Sequence, residues 1–406
     1  HLGRRNENIF MSTIAIVNHN VKEVGTYHRC FGFAKELAKK GHQVYFFYLN
    51  PKRGAWIRKV KNGSITAIEL PWRSEGGFHA LVEHFFRGMY IFFFISKTRR
   101  LDIVHSFNTA SPMVGFSTIL FALVKKIKGT RLVVDWDDWW GRGGLTTLNN
   151  QGRLQEAVAE FLETKVPLLA DHLTLHNEVI RERAIKHGVG KDQISKIYNG
   201  CNWDAFKSFY EVGYDREKAR NELGLPFDKK ILFFGGAVVV SVPFLLEVIK
   251  QINRKDIIMI IVGPEKKEFK ILAEKMGLID KVFFEGLVDY DKFKKYLFAS
   301  DVLLLPRSNR HLLDRCTFPG RIGDYMLSGR PIVASSVGEL PSFFGENDIG
   351  SLAESDDYND FAKKILFLLD NEDIAEEMSK KAFEVGKNKY GWDIMTESLL
   401  KNVYLF

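Results

Sequence analysis

The residues of this chain best suited to chemistry fall in one run, Leu303–Ser336, which reads LLLPRSNRHLLDRCTFPGRIGDYMLSGRPIVASS. An apolar strand stops at Pro306 and a long basic loop follows. Pro319 then stands where proline favours the first turn of a helix. A helix starting at 320–322 would offer the unpaired amides of Gly320, Arg321 and Ile322, and a positive dipole end, to an anion. Arg321 adds a planar fork that matches phosphate oxygens. Asp324, one turn later, could accept the hydroxyl hydrogens of a ribose. Taken alone, Arg321 and Asp324 also read as a surface i,i+3 ion pair worth about 0.3 kcal/mol.

A second set lies in VVDWDD. Asp135, Asp137 and Asp138 are hard oxygen ligands of the kind a divalent cation takes. Asp137 or Asp138 could equally face a sugar or a reacting hydroxyl, or Asp138 could cap a helix. Trp136, Trp139 and Trp140 are three of the seven tryptophans in five residues. Such rings stack on sugar faces or settle at a membrane interface, and Trp136 is expected in the core. The GRGGL that follows reads as a mobile flap. Gly25, Tyr27, His28 and Arg29 occupy the loop after the first strand and are candidates for acceptor contact, although Gly25 and Thr26 also fit ordinary helix capping. His105 reads as a satisfied core histidine. Gly235–Gly236 and Gly263–Pro264 end apolar strands and read as turns in contact with a nucleotide.

These residues need a scaffold, and the pattern supplies one. Short β-rich apolar runs alternate with helical patterns, as in βαβ units with parallel sheets. Strands are expected at Thr13–Asn18, Gln43–Tyr48, Asp102–His105, Arg131–Asp135 and His172–Leu175. A helix is expected at Arg29–Lys40, stopped by Gly41. A second series holds strands at Ile231–Phe234, Ile257–Val262, Lys281–Glu285, Asp301–Leu305 and Pro331–Ala334, with a helix around Phe244–Gln251. The two α/β halves join between about Asn199 and Phe227. In such folds ligands sit beyond the carboxyl ends of strands, and a cleft between two halves is the default site.

FPGRIGDYMLSGRPIVAS resembles the donor-site motif of family 4 glycosyltransferases of the GT-B fold. Other stretches agree in order. GTYHRCFGFAKELAKKGHQV is similar to the family's acceptor-side loop and helix, DIVHSFN to its Asp-x-Val-His strand, and VVDWDD to a strand ending in His or Asp. ADHLTLHNEVIRERAIKHGVGKDQISKIYNGCNWDAF resembles the close of the first domain. IIVGP, VFFEGLV and ASDVLLLP resemble successive strands of the second. The match covers nearly all of Met11 to Phe406.

The resemblance implies two Rossmann-like domains with parallel sheets facing across a cleft. It implies an acceptor-binding domain at 11–203 and a nucleotide-sugar-binding domain at 204–389. A C-terminal helix at 390–406 would cross back to the first domain. Residues 1–10 read as a cloning remnant or loose extension. The implied reaction is retaining, metal-independent transfer of a sugar from a nucleotide-sugar, UDP- or GDP-linked, to a hydroxyl acceptor. That acceptor would be a glycan or lipid-linked molecule in cell-surface glycan or glycolipid synthesis. No cofactor or metal is implied, since the nucleotide-sugar is a substrate.

Donor contacts would fall to Gly235, Gly236, Gly263, Pro264, Arg307, Gly320, Arg321, Ile322 and Asp324. Catalysis would fall to Arg321, Asp137 and Asp138, and acceptor contacts to Gly25, Tyr27, His28, Arg29, Trp139 and Trp140. The sequence departs from the family twice. GGAVVVSVP lacks the Arg and Lys that commonly grip the donor diphosphate, and the family's Glu-x7-Glu pair maps to Cys316 and Asp324. Arg321, helped by Arg307, Arg310 or Arg315, would then carry the positive charge. These departures also fit a catalytically degenerate relative serving as a membrane or partner scaffold.

Composition bounds the remaining choices. The chain has 406 residues, 46% hydrophobic and 27% charged, which suits a globular protein and excludes a disordered one. Its net charge of +8 favours anionic partners, but no nucleic-acid recognition element accompanies it. Cys30, Cys201 and Cys316 are odd in number and lack metal spacing, as expected of a reducing cytoplasm. No apolar run is long enough to span a bilayer. Phe78, Leu81, Val82, Phe85, Phe86 and Met89 share one helical face, followed by Lys97, Arg99 and Arg100. PKRGAWIRKVK adds five basic residues around Trp56. This is either a core helix with a solvated basic loop or a device for an anionic membrane surface.

Overall fold

The computed structural model describes residues 11–52, 54, 56–72, 77–236, 241–264 and 266–405. Residues 1–10, and Ala237–Val240 of the GGAVVVSVP loop, lie outside the described residues. The chain divides into two compact units. One runs to Tyr198 and resumes at Trp392, and the other is Asn199–Gly391.

The first unit is built on β1 (Thr13–Val21), β2 (Gln43–Leu49), β3 (Arg58–Asn62), β4 (Ile65–Leu70), β5 (Ile103–Phe107), β6 (Arg131–Asp135), β7 (His172–Leu175) and β8 (Ile194–Lys196). Their order in the sheet is β3-β4-β2-β1-β5-β6-β7-β8, parallel throughout except for β3 against β4. Parallel strands covered on both faces need continuous apolar runs. In β1 the side chains of Ile14, Ala15, Ile16 and Val17 are accordingly at most 1% exposed. Succession passes from β1 to β2 on one side and resumes at β5 on the other. The strand order therefore reverses between β1 and β5, where doubly wound sheets open a crevice at their carboxyl edge.

Helix α1 (Tyr27–Lys39) covers this sheet with Phe33, Ala34 and Leu37. A Cβ on Gly32 would lie 2.4 Å from the Trp392 ring, so the first residue of the C-terminal helix Trp392–Leu399 needs a glycine opposite it. Leu399, Val403 and Tyr404 of this terminal segment are buried, and the Tyr404 hydroxyl lies 2.9 Å from His105 Nδ1. His105 Nε2 meets Thr174 Oγ1 at 3.2 Å. His105 is thus a fully bonded core residue.

Of the two readings left open for this region, the core helix with a solvated basic loop does not hold as drawn. The basic stretch after Trp56 is no simple loop, because Arg58–Asn62 forms β3, an exposed edge strand paired antiparallel with β4. A row of charged side chains on such an edge discourages pairing with other chains. The long helix α2 (Gly77–Lys97) buries Ala80, Arg87, Ile91 and Ile95. Of the apolar face named from the sequence, Val82, Phe85 and Phe86 are exposed at 36%, 46% and 66%, Leu81 and Met89 are half-buried, and the Phe78 side chain lies outside the described residues. Arg87 is held inside by Glu83 one turn away. Helix α3 (Pro112–Lys128) lies against α2 and exposes Leu123 and Ile127.

The second unit carries β9 (Lys230–Gly235), β10 (Ile257–Val262), β11 (Val282–Gly286), β12 (Val302–Leu305), β13 (Ile332–Ser335) and β14 (Ser351–Ala353) in the order β11-β10-β9-β12-β13-β14. The adjacent pairs are parallel. Leu232, Phe234, Met259, Ile261 and Leu304 form a core with Leu245, Leu246 and Ile249 of one helix and Phe361 and Ile365 of another. Here the order reverses between β9 and β12, which sets the crevice at the ends of those two strands.

Candidate functional site

The carboxyl edge of the second unit gathers several of the expected donor residues. Gly235 ends β9 in register with Val262 of β10, and the Gly236 amide donates to the Val262 carbonyl at 2.9 Å. Gly263 and Pro264 follow on that neighbouring strand, where the Gly263 amide donates to the Gly286 carbonyl at 2.9 Å. The Arg321 guanidinium donates to the Gly235 carbonyl and lies 5.2 Å from the centroid of the Phe234 ring. A Cβ on Gly236, whose φ is +138°, would fall 2.0 Å from the guanidinium carbon. Only glycine at 236 lets that cation lie flat on the strand end. The Tyr325 hydroxyl accepts from the Gly235 amide at 3.1 Å and donates to the Leu304 carbonyl at 3.3 Å, locking the two strand ends together.

Other expected donor residues are placed differently. The helix after Pro319 is only Ile322–Leu327. The Ile322 amide already donates to the Pro319 carbonyl at 3.1 Å, and its side chain is buried. Ile322 therefore cannot serve an anion. The amides of Gly320 and Arg321 have no partner among the described residues.

Arg307 is turned inward on its own loop. Its guanidinium donates to Thr317 Oγ1 at 2.6 Å and to the Asp314 carbonyl at 3.1 Å. It braces residues 307–317 where a helper cation was expected, while Arg310 and Arg315 are exposed. Arg321 and Asp324 do not pair with each other. Asp324 accepts from the Tyr290 hydroxyl at 2.7 Å, and burial raises its carboxyl to about 6.

In the first unit, two of the expected acceptor residues belong to the core. Arg29 is 4% exposed, and its fork grips Asp135 at 2.8 and 3.1 Å while also donating to the Ile197 carbonyl at 2.9 Å. Asp135 is fully buried and also accepts from Thr174 Oγ1 at 2.5 Å. Neither partner can leave without stranding a buried charge. Tyr27 packs among Phe31, Phe46 and Tyr48, and burial pushes its hydroxyl up to about 12. Gly25 and His28 are exposed, with His28 Nε2 donating to the Glu23 carbonyl at 2.9 Å.

The side chain of Thr26 does not cap α1. It donates to Asp137 Oδ2 at 2.6 Å. Asp137 is 5% exposed and its Oδ1 is unpartnered. Burial, with the charges of Asp138 and Asp135 behind it, holds this carboxyl well above the usual carboxylate range. Because Asp135 is spent on Arg29, the three aspartates do not converge as ligands. Among the described residues no three His, Cys, Asp or Glu side chains form a metal-binding group.

The tryptophan loop after β6 is anchored at several points. Glu163 Oε1 accepts from Trp136 Nε1 at 3.0 Å and from the Trp140 amide at 2.7 Å, while Oε2 accepts from the Gly141 amide at 3.0 Å. Glu160 takes the Arg142 amide at 2.9 Å, and Arg183 bonds both carboxylates. The Arg183 guanidinium also covers one face of Trp139, 3.6 Å from the ring centroid. The GRGGL segment is therefore tethered where a mobile flap was expected. Trp136 is buried as expected. Glu163 and Arg183 carried no local signal in the sequence, because their role exists only through contacts 20 to 27 residues away.

Residues 215–385 match a family model described as glycosyl transferases group 1, and residues 25–200 one described as a glycosyl transferase 4-like domain. A D-inositol 3-phosphate glycosyltransferase of Streptomyces coelicolor is 23% identical over 256 residues, 57% of this chain and 54% of that protein. The chain thus spans about half the length of the first curated relatives it matches. A glycosyltransferase structure from Rickettsia africae superposes with a TM-score of 0.71 at 17% identity, covering 97% of this chain and 98% of that one. Anabaena HepE in complex with UDP and glucose gives 0.68 at 12% identity, over 97% and 100%. With both units matched by glycosyltransferase family models and the fold shared end to end, the chain belongs to the family 4-like glycosyltransferases of the GT-B fold.

Proposed function

We propose that this protein transfers a sugar from a nucleotide-sugar to a hydroxyl acceptor, with retention of configuration and without a metal. The observation that carries the reading is the Arg321 guanidinium lying on Gly236 at the reversal of strand order in the second unit. A diphosphate needs a fixed cation and bare backbone at a strand end. Arg321, the Gly320 and Arg321 amides and Gly235–Gly236 supply both, and Asp324 stands one turn beyond for hydroxyl groups. UDP-sugars are the first donors to try, since solved structures of this fold carry UDP, UDP-glucose or UDP-2-fluoro glucose, with GDP-sugars next.

In the reaction the bond between the anomeric carbon and the phosphate oxygen breaks as the acceptor oxygen bonds to that carbon. The acceptor proton passes to the departing phosphate. Negative charge grows on the leaving diphosphate, and stabilising it is the main catalytic task. Replacing Arg321 by Ala should raise the barrier by about 3 kcal/mol, a loss of about a hundredfold in kcat. Turnover within threefold of wild type would refute the assignment. Thermal shifts with UDP, GDP, ADP, CMP and dTDP would identify the base, because a ligand at a hundred times its Kd adds about 2.7 kcal/mol.

Peripheral attachment to an anionic membrane through the first unit is part of the same reading. Val82, Phe85, Phe86 and Phe93 of α2, Leu123 and Ile127 of α3, and Trp56 are exposed apolar groups. Lys97, Arg99, Arg100 and the basic β3 lie along the same stretches of chain. No helix among the described residues is long and apolar enough to cross a membrane. A surface of this composition would place the enzyme beside a lipid-linked acceptor.

A further inference from the structure

We propose that the carboxyl edge of the first unit's sheet holds a neutral hydroxyl-binding site centred on the Asn108 side-chain amide. It takes an uncharged sugar or polyol group and turns away a phosphorylated one. The inference rests on the glycosyltransferase reading for the sugar character of its ligand. Its residues belong to the first unit, whereas Arg321 and Gly236 belong to the second.

Asn108 has an unusual set of properties for a residue with no assigned role. It is 1% exposed, yet neither Oδ1 nor Nδ2 has a partner. Exchanging the two atoms cannot help, since both are orphaned. Its backbone is fully committed. The amide donates to the Asp135 carbonyl at 2.9 Å, the carbonyl accepts from the Ser111 amide at 3.2 Å, and φ is +60°. Asparagine tolerates that left-handed conformation better than most residues, but glycine would adopt it more easily. The side chain is therefore not what the turn requires.

Neighbouring groups share the deficit. The last rungs of the ladders pair Val17 with Ser106 and Phe107 with Asp135. His19, Asn108 and Asp137 each stand two residues beyond one of those partners, on three adjacent strands at the reversal of order between β1 and β5. The His19 ring is 9% exposed and edge-on to Trp140, with centroids 5.2 Å apart. The Phe107 carbonyl pulls weakly on that ring, but neither ring nitrogen meets hydrogen-bond geometry with a protein atom. No choice of tautomer can satisfy it. Trp140 Nε1 and Asp137 Oδ1 are buried without partners as well. Buried polar groups are nearly always satisfied, and a cluster of exceptions at a sheet's ligand-binding edge marks where something else completes the bonding.

The chemistry of the cluster defines what that something is. The indole and the amide nitrogen only donate, the amide oxygen and the unprotonated ring nitrogen accept, and Asp137 Oδ1, on a carboxyl whose Oδ2 already takes the Thr26 hydroxyl, can donate as well as accept. A hydroxyl both donates and accepts, so a polyol fits this mixture. A phosphate only accepts, so it would leave the amide oxygen and the ring nitrogen unpaired, and neutral partners would not offset the charge it brings into a buried site. Burial keeps His19 neutral, with its ring lowered to about 3. The surrounding cations are committed elsewhere. Arg29 grips Asp135, Arg87 pairs with Glu83, and Arg183 pairs with Glu160 and Glu163.

The test uses the full chain and two variants. Asn108→Gly keeps the positive φ and removes the amide. Asn108→Asp keeps the shape and replaces a donor with an acceptor. Ligand-observed NMR is recorded with methyl α-D-glucopyranoside, the manno and galacto analogues, myo-inositol and glucose 6-phosphate. UDP binding is measured in parallel by calorimetry. The expected result is saturable binding of at least one neutral probe by the wild type, weakened tenfold or more in both variants, with UDP affinity within twofold throughout. Glucose 6-phosphate should bind at least tenfold more weakly than methyl glucoside. Equal binding of both, unchanged affinity in the Gly variant, or no neutral probe bound by the wild type would each overturn the proposal. A crystal structure with ordered waters alone on these atoms at saturating probe would do so too. If the wild type binds a neutral probe but no nucleotide, the donor assignment fails and this one survives.

Discussion

Whether an arginine meets substrate or core was not legible from its type. Arg321 and Arg29 both stand at the opening of a helix, yet one lies on a bare strand end and the other is locked to an aspartate 106 residues away. That partner appears only when the chain folds. Gly236→Ala tests the first case. Its Cβ would collide with the guanidinium at a positive φ, so nucleotide affinity should fall at least tenfold with stability lowered by about 1–3 kcal/mol. Unchanged UDP affinity would show that the cation is free to move aside. Glu163 supplies a pH prediction. Burial raises its carboxyl to about 7 against an ordinary 4.5. Between those values the folded chain holds a proton that the unfolded chain has released. Its contribution is therefore present in full below pH 4.5 and is lost as pH rises through 7, on the order of 3 kcal/mol. Glu163→Gln should be less stable, since its amide would face the Gly141 N–H, and should lack that part of the slope. Urea unfolding at pH 5 and 7.5 gives the comparison, and parallel slopes for the two proteins would refute it.

The elements divide by what their sequences had to satisfy. Buried parallel strands such as IIMIIV announce themselves, and β6, β7 and β10 fall on the residues expected of them. RKVKN gave no such sign. β3 is an edge strand with every residue exposed, held by its ladder and not by an apolar face. Helix α2 was left open between core and membrane surface for a different reason. Its apolar stripe is exposed at Val82, Phe85 and Phe86 and half-buried at Leu81 and Met89, and periodicity reports a stripe without saying what covers it. The exposed stripe makes a clear prediction. Phe85→Asp with Phe86→Asp should weaken binding to vesicles containing 30% anionic lipid by tenfold or more. Because Phe86 is 66% exposed and Phe85 46%, folding stability should fall by no more than about 2 kcal/mol. Raising salt from 0.1 to 0.5 M should release the wild type in the same sedimentation assay. Equal sedimentation of variant and wild type would remove the membrane reading.

At the scale of the molecule, the first unit is discontinuous and the second is a continuous run from Asn199 to Gly391. Ending the chain at Gly391 removes the Trp392 ring from Gly32, the Tyr404 hydroxyl from His105, and the buried Leu399 and Val403. The truncated protein should lose cooperative unfolding of its first unit while the second keeps a separate transition and its affinity for UDP. Differential scanning calorimetry reads both, and an unaltered first transition would contradict the packing. This closure also orders events on the ribosome. The leading unit is begun first but cannot be completed until the segment from Trp392 onward has been made, whereas the middle unit has all its residues earlier. The nascent protein therefore carries an open groove beside α1 until that segment emerges, a stretch of time in which chaperones have something to hold, and a chain broken off before Trp392 leaves the first unit unable to finish folding.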